Sequence, residues 1–383
     1  MKNRRTMTRA LLAVVMMAGL GTVQAQPAAA APADGIRITH FLGERDLPHR
    51  AQFQGTVVGG LSGIDRDPLT GTWYFISDDR ARYNPARYYT GKIDINPLTR
   101  RFEGVSITGV TTLLRPDGTP YPGYGQPEAA DPEAIRFDPW SRRILWSSEG
   151  DRPREGTTGN PVVQMSLRWV DRGGHDRGGL PIPGNLTMTN TTSGPRHNAG
   201  FEGLTFTPHG IAAIVEGPRF EDGDIMTTER GALSRITVWD RNGRTRAQYA
   251  YPIDRLPAAP VPETGRYDGG VSEILAVDDD RLLSLERFWI EGVGYRVKLY
   301  EIDLRGATNV LGRDSLTGGA PYRAVTKRLV HDFNAGGATV QNLESLGWGP
   351  RLASGERVLV VGSDDNFDES EITQFLAFAV RDH

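Results

Sequence analysis

The sequence predicts an all-β fold, a β-propeller of five four-stranded blades. Three observations predict it: a segment that recurs five times, the near-constant spacing of its copies, and the punctuation of the chain. The recurring segments are LSGIDRDPLTGTWYFISDDR from Leu61, PEAIRFDPWSRRILWSSEGD from Pro132, FEGLTFTPHGIAAIVEGPR from Phe201, VSEILAVDDDRLLSLERFW from Val271 and NLESLGWGPRLASGERVLVVGSDDN from Asn342. Their anchor residues, Ser62, Glu133, Glu202, Glu273 and Glu344, follow at intervals of 71, 69, 71 and 71 residues. The 46 Gly and 25 Pro among 383 residues are too many for a helical bundle. No segment carries a long helical period.

Each unit opens with a short apolar strand and a tight turn. The turns are DPLTG, DPWS, TPHG, DDD and GPRLASGE, built from residues that favour turn conformations. A second apolar strand follows. The third strand reads RYYTGKIDI, VVQMSLRWVD, LSRITVWD, YRVKLYEIDL and ITQFLAFAV, with frequent β-branched and aromatic residues. The fourth is more polar, as in RFEGVSITGV, RTRAQYAY and VTKRLVHDF, and is poorly marked in the second unit. The fifth unit ends after three strands. Ile36–Leu42, IRITHFL, can supply its fourth and close the ring with strands from both ends of the domain. Five blades fit the spacing, and a sixth hidden in a long loop stays open.

Ahead of the repeats, Lys2, Arg4, Arg5 and Arg9 precede an apolar run from Ala10 to Leu20, and Val23-Gln24-Ala25 offers a small-residue cleavage site. This is the pattern of an export signal, and the run is too short to span a bilayer. The expected organisation is a signal over residues 1–25, a flexible leader over 26–34 and one domain over 35–383. The expected location is the periplasm or the exterior. Removing the four positives leaves 40 Lys+Arg against 47 Asp+Glu, a charge of −7. A nucleic-acid partner is not expected from such a charge. With no cysteine, disulfides, zinc–thiolate sites, iron–sulfur clusters and a thiol nucleophile are excluded.

In an up-and-down blade, the start of strand one and the end of strand two share a rim beside the central axis. The starts give Ser62, Glu133, Glu202, Glu273 and Glu344. The ends give Asp78-Asp79, Glu149 with Asp151, Glu216, Glu286 and Asp364-Asp365. The loops after strand two are also the long, charged ones, so this rim is the expected functional rim. Carboxylates crowded around one axis repel, which favours partial protonation or a cation among them. Oxygen donors without a Cys or His cluster suit Ca²⁺ first, then Mg²⁺ or Mn²⁺. The expected metal ligands are Asp78, Glu133, Glu149, Glu202, Glu273, Glu286 and Glu344. Arg80, Arg152, Arg219 and Arg287 recur just after the acids, and a guanidinium fork suits a phosphate or carboxylate. Arg80, Arg219 and Arg287 are the expected substrate contacts. Trp289 and Phe220 are candidate pocket walls.

No G-x-S-x-G elbow, P-loop, dinucleotide fingerprint or H-E-x-x-H is present, so Ser62 is a weak nucleophile candidate. Among the seven histidines, His209 falls on the opposite rim and His331 ends a fourth strand. His197, on the acidic rim, is the candidate general acid. Glu202, Glu216 and His197 are the expected catalytic residues.

LSGIDRD with FISDDR, PEAIRFDP, FEGLTF and NLESLGWG, in this order and spacing, resemble the phytase-like family of exported bacterial proteins with esterase-like activity. The resemblance covers nearly all of the chain from Gly35 onward. It implies a propeller and, by analogy to calcium-dependent propeller phytases, phosphoester hydrolysis. The resulting expectation is a secreted, Ca²⁺-dependent hydrolase acting as a monomer on a small phosphorylated substrate, with water activated by the ion. A propeller esterase, lactonase or glycoside hydrolase, and a non-catalytic ligand-binding propeller, are the alternatives.

Overall fold

The computed structural model describes Gly35 to Asp382, apart from residues 155, 156, 158, 160 and 338. The expected signal and leader lie outside the described residues. The domain is a ring of five antiparallel four-stranded sheets. Blade 1 comprises Gly63–Arg66, Trp73–Ser77, Arg87–Ile95 and Phe102–Thr112. Blade 2 comprises Pro132–Asp138, Arg143–Ser148, Ser166–Val170 and Asp176–Gly179. Blade 3 comprises Phe201–Phe206, Gly210–Val215, Ala232–Asp240 and Thr245–Ile253. Blade 4 comprises Tyr267–Ala276, Arg281–Ile290, Gly294–Asp303 and Thr326–Asp332. Blade 5 takes Leu343–Arg351, Arg357–Ser363 and Thr373–Arg381 from one end of the domain and Arg37–Leu47 from the other.

The closing strand pairs antiparallel along its length, from Arg37 opposite Arg381 to Leu47 opposite Thr373. The weakly marked fourth strand of blade 2 is the four residues DRGG, too short and glycine-rich to show a pattern. Each innermost strand touches the innermost strands of its two neighbours, and that of blade 5 meets that of blade 1. This leaves no sixth blade. Among the described residues, no helix is long and apolar enough to cross a membrane.

The apolar core is divided among the blade interfaces. Tyr74 and Ile76 of blade 1 pack on Ile135 and Trp146 of blade 2. Leu145 and Leu167 meet Leu204 and Ile211 of blade 3, and Ile214 and Ile236 meet Ile274 and Leu282 of blade 4. Leu283 and Leu285 face Leu343 and Leu359 of blade 5, and Val360 and Phe375 return to Ile64 and Phe75 of blade 1. The second strand of each blade is therefore largely apolar on both faces, unlike a strand with one wet face.

The inner strands converge so tightly that side chains are excluded at some positions. A Cβ on Gly63 would sit 2.5 Å from the carbonyl oxygen of Glu133, and one on Gly203 would sit 2.5 Å from the backbone nitrogen of Ile274. This accounts for the glycine of LSGI and FEGL. Deeper on the axis, buried Arg136 reaches from blade 2 to blade 1 and across to blade 4. It donates to the carbonyls of Ile64 at 2.5 Å and Ile274 at 3.1 Å and pairs with Glu273 at 2.7 Å.

Trp146 is fully buried at the interface of blades 1 and 2. Trp146→Ala leaves a cavity there. The expected loss is about 3–5 kcal/mol, read from the urea midpoint at unchanged slope.

Candidate functional site

Four blades build the acidic rim in the same way. The residue just past strand two donates its backbone N–H to a residue two places before the strand-one anchor. Asp78 donates to Gly60 at 2.9 Å, Glu149 to Asp131 at 2.8 Å, Glu216 to Gly200 at 2.8 Å and Asp364 to Asn342 at 2.9 Å. A register shift marks the start of strand one in blades 2, 3 and 5 and the middle of it in blade 4. Such bulges turn a side chain off the alternating pattern. Glu133, Glu202 and Glu344 lie within these shifts and enter the axial cluster.

The cluster contains Asp78, Asp131, Glu133, Glu149, Glu202, Glu216, Glu344 and Asp364, all buried except the half-buried Asp78. Two arginines enter it. Arg80 Nε lies 2.7 Å from Asp131 and its Nη2 lies 3.5 Å from Glu149. The same Nη2 donates to Asn198 Oδ1 at 2.8 Å. Arg287 Nη2 lies 2.7 Å from Glu344 and 3.5 Å from Glu216. Arg80 holds φ at 54° and Ala81 at 54°, a costly conformation for non-glycine residues that recurs at functional sites. A cavity of about 250 Å³ opens at the mouth, lined by Asp78, Arg80, Glu133, Glu202, Arg287 and Glu344.

Eight carboxylates facing two guanidiniums cannot all ionise. Burial, then neighbouring carboxylates, push Glu133, Glu149 and Glu202 well above the usual range. Burial raises Asp78 to about 8 against the opposing pull of Arg80. Burial likewise raises Glu216 to about 8 against Arg287. Two groups of three bring one oxygen from each residue within 4.8 Å of the others: Asp131, Glu133 and Glu149, and Glu149, Glu202 and Glu216. Glu149 belongs to both. An all-oxygen, buried and over-negative donor set fits a hard divalent cation.

Of the residues expected here, the structure brings together Asp78, Arg80, Glu133, Glu149, Glu202, Glu216, Arg287 and Glu344. Glu273, Glu286 and Arg219 lie outside this cluster. Glu273 lies deeper on the axis, paired with Arg136 and accepting from the backbone N–H groups of Leu204 and Ile274. Glu286 sits on the other face of a strand that runs on without a break to Ile290. It accepts from Tyr251 Oη at 2.8 Å and Lys327 Nζ at 2.5 Å, while Arg287 takes the axis-facing place. Arg219 pairs with Asp222 at 2.9 Å and serves the loop carbonyls of Asn185 and Asp314.

Arg152 is likewise spent on the carbonyls of Ser193 and Pro195, and Phe220 lies between Arg152 and Arg196. Ser62 Oγ donates to the Glu133 carbonyl at 2.9 Å. His331 packs on Phe333 and Phe378, and exposed His209 pairs with Asp279. His197 Nδ1 lies 2.7 Å from the carbonyl oxygen of Arg152 and 3.4 Å from Asp151 Oδ1. Asp131 and Asn198 are the residues that sequence reasoning missed. Asp131 was within reach, since the same position of the other units holds Gly60, Gly200, Val271 and Asn342.

A five-bladed ring with buried carboxylates gathered at one end of its axis defines the class, a β-propeller with an acidic axial site. The profile of the Phytase-like family, described as the esterase-like activity of phytase, matches residues 56–367, and the chain belongs to that family. No curated protein matches the sequence. Among solved structures, a GH43 β-1,3-galactosidase with galactodeoxynojirimycin is similar at 8% identity and a TM-score of 0.44, covering 88% of this chain and 94% of that one. A Bifidobacterium bifidum s17 protein described as an exo-β-1,3-galactanase is similar at 11% identity and a TM-score of 0.41, covering 91% and 94%. Likenesses this distant do not bear on the chemistry.

The raised carboxylates set a sign for pH dependence. In the unfolded chain they titrate near their ordinary values of 3.8 and 4.5, whereas Asp78 and Glu216 hold their protons to about 8 when folded. The metal-free folded state therefore binds more protons between these limits. Stability in chelator is expected to fall as pH rises from 5 to 8. Calorimetric melting across that range checks it, and a rising Tm would contradict it.

Proposed function

We propose that this chain is an exported, Ca²⁺-dependent phosphoesterase working at the acidic rim, in the periplasm or outside the cell. The observation that supports it most is the pair of carboxylate groups sharing Glu149, flanked by Arg80 and Arg287. Asp131, Glu133, Glu149, Glu202 and Glu216 would hold the cation. A divalent ion there supplies Lewis-acid polarisation of the phosphoryl group and eases deprotonation of water.

The chain's own residues do the rest. Arg287 lines the cavity, so its guanidinium stands where an anionic oxygen would bind. Arg80 is held by Asp131, Glu149 and Asn198 in one orientation, which limits the ordering cost of substrate binding. Glu202 and Glu216 are the carboxylates that would take the proton of the attacking water. Membership of a family with esterase-like activity favours ester hydrolysis over glycoside cleavage.

Purified protein stripped with chelator and assayed with calcium restored tests this. Calcium-dependent release from p-nitrophenyl phosphate, bis-p-nitrophenyl phosphate or phytate is expected. Cleavage of p-nitrophenyl acetate alone, indifferent to chelator, would assign the site to a carboxylesterase instead.

Glu149 is common to both groups, so Glu149→Gln is expected to weaken both. The loss in calcium affinity should exceed the about 10–100-fold that removing an outer hydrogen-bond partner of a ligand costs. Titration calorimetry reads it, and unchanged affinity would remove Glu149 from the cation site.

A further inference from the structure

The acidic cavity shares a wall with a second, larger one. A cleft of about 830 Å³ opens beside Glu216, with His197, Tyr267, Trp289, Ile225 and Arg266 among its walls. That volume suits a small organic molecule. Trp289 and Tyr267 offer aromatic faces from strands of blade 4, and the Arg266 guanidinium lies 5.8 Å from the centre of the Trp289 ring. Exposed Ile225 adds an apolar edge. Nothing in the acidic cluster itself needs such a surface.

His197 is held at this wall in a defined state. Its Nδ1 lies 2.7 Å from the Arg152 carbonyl oxygen, which can only accept, so Nδ1 carries the hydrogen. Asp151 Oδ1 lies 3.4 Å from the same nitrogen. Nε2 makes no hydrogen bond among the described residues and is the nitrogen left to exchange a proton. The segment that carries it is pinned to the cluster at two points. Asn198, at φ 51°, accepts from Arg80, and the Gly200 N–H donates to Glu149 Oε1 at 2.9 Å. His197 therefore lines the cleft from the segment that borders the carboxylates.

Resting on the phosphoesterase reading, we propose that this cleft receives the alcohol part of the ester, an aryl or similarly planar alcohol, and that His197 protonates its departing oxygen. The oxygen of water bonds to phosphorus as the phosphorus–alcohol oxygen bond breaks. The bonding pair stays on the alcohol oxygen, which takes the proton from Nε2. The proton lost by the water passes to solvent, and solvent returns one to His197 Nε2. Phosphate and free alcohol are the products, and one water is consumed.

Leaving groups of different basicity separate this role from a structural one. p-Nitrophenolate departs without a proton, whereas phenolate gains from one. His197→Gln is expected to lower kcat/KM about 100–1000-fold on phenyl phosphate and less than about tenfold on p-nitrophenyl phosphate. Equal losses on both substrates would overturn the acid role. The cleft is tested without turnover, by calorimetric binding of phenylphosphonate and methylphosphonate to calcium-loaded protein. The phenyl compound is expected to bind about tenfold tighter, and Trp289→Ala should abolish the difference. Equal affinity of the wild type for both overturns the aryl assignment. If the wild type cleaves no phosphate ester at all, the phosphoesterase reading fails and the leaving-group role with it. Cleavage with equal losses in His197→Gln sinks that role alone.

Discussion

Carboxylates held close together, away from water, around a single axis repel strongly, and the rest of the molecule is arranged to withstand this. The inner strands approach until glycine is required at Gly63 and Gly203. Each interface between blades is filled with aliphatic and aromatic side chains. Such packing is stiff, so the rim cannot relax by spreading. The charge has to be met where it stands, by protons, by Arg80 and Arg287, or by a cation. The carboxylate–backbone hydrogen bonds, the left-handed residues after Ser77 and the bulges of the inner strands serve that requirement.

Much of the fold was legible in the sequence because a propeller repeats its physics. Five copies of one strand–turn–strand unit at equal spacing leave few architectures, and a fifth unit lacking one strand points to Ile36 and its neighbours as the missing piece. The fourth strand of blade 2 was hidden because four residues with two glycines leave no alternation to read.

The site was legible only as far as the blades are equivalent. Equal phase placed Glu133, Glu202 and Glu344 on the rim, and the same logic misplaced Glu273 and Glu286. Blade 4 departs from its siblings: its second strand does not stop before the acid but continues through Glu286 and Arg287 to Ile290. That one-residue alternation sends Glu286 towards Tyr251 and Lys327 and brings an arginine to the axis. Glu273 was drawn out of the cluster by Arg136, a pairing between blades that no local pattern reveals. Asp222, three residues after Arg219, took that arginine from the rim. A charge pair between blades decided Glu273, strand alternation decided Glu286, and a local ion pair decided Arg219.

The seam in blade 5 also has a kinetic side. Arg37 meets Arg381 and Leu47 meets Thr373, so the sheet joins segments separated by more than three hundred residues. The other four sheets are built from neighbours in the chain and can form as their strands appear. The seam carries the largest loop-closure cost, and it cannot form until the last strand exists. Until then the blade made from Leu343–Arg351, Arg357–Ser363 and Thr373–Arg381 keeps an open edge, and the oldest part of the domain waits for the newest. Closure of the ring is thus a single late event that commits the four finished blades at once.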